Sequence, residues 1–358
     1  MRPLTRFLRT MVPLVQRRRD RCSRAPVKGP TFEVSADFGR LRSRASGDVL
    51  TAVPARLGPY GNSGERYSTV DRPRRPDEMP GAGDRSMTNS QVRYRYDELT
   101  WPEMRAAIAA RRAVLLPFGA VEDHGYHLPL NTDNVIVEAI CHAAARRSPE
   151  DVLVMPAVSY GLDEHHMDFP GTVSVAPDHL VNYVADVAIS VARHGFTHIL
   201  IVNGHGSNRP VADLAARKTV LATGAICAAI APNAAVNKTL SEPALSRGRR
   251  SAPGGIAHAC EYETAMMLYL RPDLVQMDKA VKEIGQLKLK YFNWDYPEPS
   301  AITWNDWWSR MSESGVCGDP TVATAEFGQQ LFEATVERLI ELVREFRTIP
   351  VRERVDHH

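Results

Sequence analysis

Cysteine is scarce in this chain of 358 residues: there are five, at positions 22, 141, 227, 260 and 317, odd in number and without a C-x-x-C pair. That spacing fits buried or free thiols in a reducing cytoplasm better than a disulfide framework. Long apolar runs are missing too. None approaches the roughly 20 residues needed to span a membrane, so the folded part is expected to be soluble. Aromatic residues make up only 7%, and many concentrate between Tyr291 and Trp308, a stretch read as a packed or subunit-contact segment rather than a substrate lid. A large excess of one charge is also absent, since the formal net charge is +2. The chain does have apolar content, 44% of its residues, enough for a substantial core in one large or two ordinary domains.

The small net charge hides an asymmetry. Residues 1–86 carry 18 Lys and Arg against 9 Asp and Glu, a net of +9, whereas the remainder carries 26 against 33, a net of −7. The first segment is rich in Arg, Pro, Gly and Ser, with Arg17-Arg18-Arg19 and Pro73-Arg74-Arg75-Pro76, and its composition predicts disorder. Three readings compete for it: a transit peptide, a nucleic-acid-binding arm, or translated sequence upstream of a true start at Met87. The last is the expectation, with nucleic acid the least favoured partner. The folded domain is expected over 87–350, followed by a tail at 351–358.

From Ala113 onward, short apolar runs alternate with helical patterns. Strands are expected at 113–117, 152–155, 198–202 and 225–229, and helices at 135–147, 178–193, 210–222 and 322–347. In the helix from Asp178, Leu180, Val184, Val187 and Val191 recur at helical spacing, and Asp178 is placed to cap it. Strand, crossover helix and strand in repetition predict an α/β fold: a mostly parallel sheet with helices on both faces and a long C-terminal helix. Beyond Ala231 the pattern loosens, and 241–255 reads as a mobile polar loop.

In such folds, sites form at the C-terminal ends of the strands. Two chemistry-bearing segments fall there. One is Glu122-Asp123-His124 with Asp133; the other is Asn203-Gly204-His205-Gly206-Ser207-Asn208. Side chains two apart in an extended segment leave the same face, so Glu122 and His124 can converge on one point. Carboxylates mixed with imidazoles suit Zn²⁺ or Mn²⁺, with Fe also compatible. Glu122, His124, Asp133, His205 and Glu263 make five donors, more than one catalytic ion with an open position uses. Two ions sharing Asp133 is the economical reading, and paired ions about 3.5 to 4 Å apart activate water and polarise a carbonyl together.

Five stretches in order, Gly119 to Asp133, His166 to Thr172, Asn203 to Gly206, His258 to Thr264 and Gly315 to Pro320, resemble the creatininase (creatinine amidohydrolase) family. The resemblance covers roughly residues 92–347 and follows the general family pattern more closely than creatininase itself. It implies a binuclear metal-dependent amidohydrolase in which a metal-activated hydroxide attacks a cyclic or linear amide carbonyl of a small molecule. By matching position, Glu122, His124, Asp133 and His205 are implied metal ligands, His258 is the implied catalytic histidine beside the leaving nitrogen, and His166 lines the pocket. A homo-oligomer, often a hexamer, is also implied. The departure lies at Ser207, where creatininase has a ligand Glu, and at Gly206, where it has an aromatic. The fifth ligand is therefore expected at Glu263, with Glu261 as its rival, and creatinine becomes doubtful as substrate. Other readings on the same fold are a formamide deformylase, a precursor-peptide peptidase, or a non-hydrolytic binding or assembly subunit. His127 is read as structural, and Cys260 as a buried thiol rather than a nucleophile.

Overall fold

The computed structural model describes residues 92–231, 248–285, 289–292, 295 and 301–358. The expectations for 1–86, and for the part of the predicted mobile loop at 241–247, lie outside the described residues. The centre is a four-stranded parallel sheet in the order β2-β1-β3-β4, with β1 at Ala113–Phe118, β2 at Val152–Val154, β3 at His198–Asn203 and β4 at Ile226–Ile230. Every residue of β1 and β3 is buried. They pair in register from Val114 opposite Ile199 to Phe118 opposite Asn203, so both strands end on the same edge. Strands buried on both faces need continuous apolar runs, which is how 113–118 and 198–202 read in the sequence.

Helices cover both faces, as alternation along each strand requires. Before the sheet comes α1 (Trp101–Ala109); α2 (Thr132–Arg147) links β1 to β2, α3 (Pro177–Arg193) links β2 to β3, and α4 (Arg209–Thr223) links β3 to β4. Leu116, Phe118 and Ile201 pack with Leu180, Val184, Val211 and Ala215 of α3 and α4. On the opposite face, Leu115, Leu200 and Val202 pack with Ile136 and Ile140 of α2. The same cluster takes in α5 (Glu261–Leu270) and the long closing helix α6 (Ala325–Phe346). Phe327, Leu331, Leu339, Val343 and Phe346 of α6 are buried at steps of three, four and eight, a single apolar stripe. A Cβ at Gly328 would lie 1.9 Å from the Ala265 carbonyl oxygen, so this position sets how closely α6 approaches α5.

Several boundaries differ from expectation. Helix α2 starts at Thr132, three residues before Val135, because Thr132 donates its hydroxyl to the Pro129 carbonyl and opens the first turn; Asp133 therefore stands on a helix rather than in the loop. Asp178 does not cap α3: the cap position is Ala176, and the Asp178 side chain is exposed. Helix α6 begins at Ala325 instead of Val322, since 320–322 form a separate turn and the Thr324 hydroxyl accepts from the Phe327 amide. The apparent loosening after Ala231 conceals a second sheet, in which β5 (Ile256–His258) pairs antiparallel with β6 (Cys317–Gly318). Residues 249–251 are fastened rather than mobile, because the Glu261 carboxylate accepts from the Arg250 and Ser251 amides and Arg249 pairs with Asp295. Among the described residues, no helix is long and apolar enough to cross a membrane.

Candidate metal centre

Strands β1 and β3 deliver their following residues to one edge of the sheet. The chain leaves β1 through Gly119 and Ala120 to Glu122, and leaves β3 through Gly204 to His205. A Cβ on Gly204 would meet Val137 at 2.9 Å and the Asp133 carbonyl at 3.0 Å. Glycine there lets the end of β3 press against the first turn of α2, which carries Asp133. Asn208 ties the frame together: its amide donates to the Gly119 carbonyl at 2.9 Å, and its oxygen accepts from the Leu162 amide at 2.9 Å.

Four of the predicted residues converge. His205 Nδ1 lies 2.9 Å from Glu122 Oε1 and 3.2 Å from Asp133 Oδ2. His124 Nε2 lies 3.6 Å from the other Asp133 oxygen, Oδ1, and 4.0 Å from Glu122 Oε1. Glu263 joins them, its Oε1 4.0 Å from His124 Nε2. Its rival Glu261 faces away, toward the amides of 250 and 251. The two stand on different faces of α5, two residues apart, as a helix requires.

The donor set fits divalent cations. Glu122, His124 and Asp133 offer ligand atoms within 4.8 Å of one another, as do His124, His258 and Glu263, and Glu122, Asp163 and His205. Glu122 Oε2, His124 Nε2 and Asp133 Oδ2 are buried without an aligned hydrogen-bond partner, a costly state for polar atoms unless something else satisfies them. The charge balance points the same way. Burial works against protonation of His124, yet Asp133, Glu263 and Glu122 outweigh it and raise its pKa to about 10. His205 is likewise pushed up against burial by Glu122 and Asp163. The acids carry enough negative charge to hold protons on buried imidazoles, and bound cations can supply that positive charge instead.

The comparisons agree with this geometry. Residues 97–343 match the family model Creatininase, described as creatinine amidohydrolase. The chain belongs to the creatininase family. It is 31% identical over 267 residues to the creatinine amidohydrolase of Pseudomonas putida, covering 69% of this chain and 95% of that one. It is 29% identical to the mycofactocin precursor peptide peptidase of Mycolicibacterium smegmatis, covering 65% and 85%. Among solved structures, a crystal structure of creatininase superposes with a TM-score of 0.60 at 27% identity, covering 72% of this chain and 98% of that one. A manganese creatininase does so with 0.59 at 27%, covering 70% and 97%.

Against this family background, the remaining walls of the site come into view. His258 stands on β5 with Nε2 2.9 Å from the Asp123 carbonyl oxygen and Nδ1 3.9 Å from Glu122 Oε1. A carbonyl only accepts, so Nε2 carries the hydrogen and Nδ1 faces the cluster with a lone pair. Burial first, then His124 and His166, hold its pKa well below the ordinary histidine value. His258 is therefore neutral at neutral pH, and must take up a proton before it can donate one. His166 lines the cavity, with Nδ1 bonded to Asp123 Oδ1 at 2.6 Å and Nε2 standing 3.2 Å from Glu122 Oε2 without an aligned hydrogen bond. His127 bonds Thr264 at 2.8 Å behind the cluster. The Cys260 thiol is buried, with its pKa pushed far up by burial, and is inert as a nucleophile.

Sequence reasoning missed four contributors. Asp123 anchors two histidines, His166 by side chain and His258 by backbone. Asp163 is fully buried and lies 2.8 Å from His205 Nε2. It follows the parallel extension of the β2 segment, where Val158 bridges Phe118, so the strand-end rule that located Glu122 and His205 also locates Asp163. His165 accepts or donates at 3.0 Å to the Ser207 hydroxyl, with its pKa lowered to about 4 by burial and by His205. Trp308 stacks on His166, with ring centres 4.8 Å apart, and stands edge-on to His258. Trp304 and Trp308 line a cavity of about 100 Å³ above Glu122 and Asp133; Trp308 is also packed, as expected, against Ala257 and Cys317.

Proposed function

We propose that this chain is a metal-dependent amidohydrolase whose cluster holds two divalent cations, Zn²⁺ or Mn²⁺ (or Fe), with Asp133 between them. The observation that carries the reading is the division of Asp133: Oδ1 faces His124 and Oδ2 faces His205. Glu122 and His205 would hold one ion, and His124 and Glu263 the other. When bound, the pair supplies an acidified water and a polarised carbonyl oxygen.

The protein's own groups do the rest. Neutral His258, with Nδ1 toward the cluster, takes the proton released as water attacks the amide carbonyl. The carbon–nitrogen bond breaks as that proton passes from His258 to the departing nitrogen. The Asp123 carbonyl fixes the tautomer throughout, and the Trp308 ring packs against His258 with centres 5.0 Å apart. Trp304 and Trp308 offer aromatic surface to a planar amide.

The substrate we propose is a small cyclic or linear amide, bound by a domain within 87–350 working in the cytoplasm as a homo-oligomer, a hexamer by family resemblance. Cys141, Cys227, Cys260 and Cys317 are all free thiols, which supports a reducing compartment. Ser207 stands in the pocket bonded to His165 rather than offering a carboxylate, which argues against creatinine and leaves formamides and short peptides as the substrates to compare. The test is hydrolysis of creatinine, formamides and peptide amides before and after chelation. Activity on one class, lost with chelator and restored by Mn²⁺ or Zn²⁺, supports the reading; metal-independent hydrolysis contradicts it.

A further inference from the structure

We infer that Asp163 is a positioning residue for the metal centre, fixing His205 so that Nδ1, not Nε2, is its ligand nitrogen. The inference rests on the binuclear reading above and adds to it a residue outside the predicted ligand set. His205 presents its two nitrogens to two different groups. Nδ1 faces Glu122 Oε1 at 2.9 Å and Asp133 Oδ2 at 3.2 Å, whereas Nε2 faces Asp163 Oδ1 at 2.8 Å, with the Leu162 carbonyl oxygen at 3.4 Å. Both neighbours of Nε2 accept hydrogen bonds, so Nε2 carries the hydrogen and Nδ1 is left with its lone pair toward the cluster.

Asp163 is built into the frame for this task. It is fully buried, and neither carboxylate oxygen has an aligned hydrogen-bond partner. An isolated buried carboxylate is expensive, so this one is tolerated only while a positive or hydrogen-donating group stands on it, and His205 is 2.8 Å away. Its backbone is held on both sides: the Asp163 amide donates to Ser174 Oγ at 3.0 Å, and the preceding Leu162 amide donates to Asn208 Oδ1 at 2.9 Å. Asn208 lies three residues beyond His205, so the segment carrying the histidine also holds the segment carrying its carboxylate.

The experiment measures Mn²⁺ and Zn²⁺ dissociation constants by chelator competition for the full chain and for Asp163→Asn and Asp163→Ala. Far-UV circular dichroism checks the fold. Asp163→Asn keeps the shape and an acceptor oxygen while removing the charge, so it carries the test if the alanine variant does not fold. Expected is a weakening of about 10- to 100-fold for Asp163→Ala, the range for partners of a ligand histidine, and less for Asp163→Asn. The visible spectrum of the Co²⁺-loaded Asp163→Asn protein should retain the wild-type coordination number. Unchanged affinity in both variants overturns the inference while leaving the metal centre standing. A lower coordination number overturns it as well, by making Asp163 a ligand. A wild-type protein that binds no metal defeats the binuclear reading itself, and this inference with it.

Discussion

The two sides of the cavity are built on different principles. The floor comes from the ends of β1 and β3 and the first turn of α2; its residues, Glu122, His124, Asp133 and His205, are crowded and buried, and the first three each carry an atom without an aligned hydrogen-bond partner. The wall comes from β5 and the segment before β6: His258 and Trp308 have their ring N–H groups bonded to carbonyls, and Trp304 lines the cavity beside them. The floor accumulates negative charge; the wall sets one imidazole and indole rings against it. Parallel strands that end together can concentrate charge in one place because helices on both faces keep the strands rigid. The wall needs only to hold one imidazole at the right tautomer, and a short antiparallel pair suffices. The loop before β6 is pinned by Glu283, whose carboxylate accepts from Ser312 Oγ at 2.9 Å and from the amides of Glu313 and Ser314 at 2.8 and 3.0 Å.

If the floor holds cations and the wall moves protons, substitutions should separate the two. The largest effect is expected from Asp133→Ala or His205→Ala, which should lose bound metal and reduce hydrolysis to background. Next is His258→Ala, expected to lower kcat by about 10²- to 10⁴-fold with metal content unchanged; metal loss in this variant would erase the distinction between floor and wall. Because the pKa of His258 is held low, the neutral form persists below pH 6.5, and kcat/KM should show no loss attributable to its protonation until the pH falls well into the acid range.

Smaller effects separate chemistry from architecture. Glu261→Gln should cost about 1–3 kcal/mol in stability, read from denaturant unfolding, with metal affinity intact, whereas Glu263→Gln should weaken metal binding. His127 has a pKa lowered to about 4, by burial and by His124. Its folded value lies below its unfolded one, so the unfolded chain binds more protons between about pH 6.5 and 4. The stability tied to its neutral form is therefore complete above that window and declines as the pH falls through it. Replacement by Gln should flatten that part of the stability profile by an amount on the order of 3 kcal/mol; an unchanged profile would assign the acid sensitivity to other groups.

Much of this was legible from the sequence, and the illegible parts have physical reasons. The sheet could be read because β1 and β3 are buried on both faces and hence continuously apolar. Glu122, His124, Asp133 and His205 could be located because they follow those strands. Asp163 was hidden because the β2 strand proper is only three residues long, Val152–Val154, and its extension toward Asp163 consists of isolated bridges. Asp123 was overlooked because its role is to hold His166 and His258, and those partners lie 43 and 135 residues further along the chain. The antiparallel pair of β5 and β6 joins segments some 60 residues apart through only a few residues each, which leaves no periodic signal to read. The choice between Glu261 and Glu263 depended on the helical face each occupies, which became visible only once the amides of 250 and 251 were seen to claim Glu261.

The proposed sharing of the Asp133 carboxylate between two ions is tested most directly by metal stoichiometry. Elemental analysis of the purified full chain, reconstituted with Mn²⁺ or Zn²⁺ and freed of loosely held ions, should give about two ions per chain, with both lost together in Asp133→Ala. A folded wild-type protein that retains no metal, or an Asp133→Ala protein that still holds two, would contradict it.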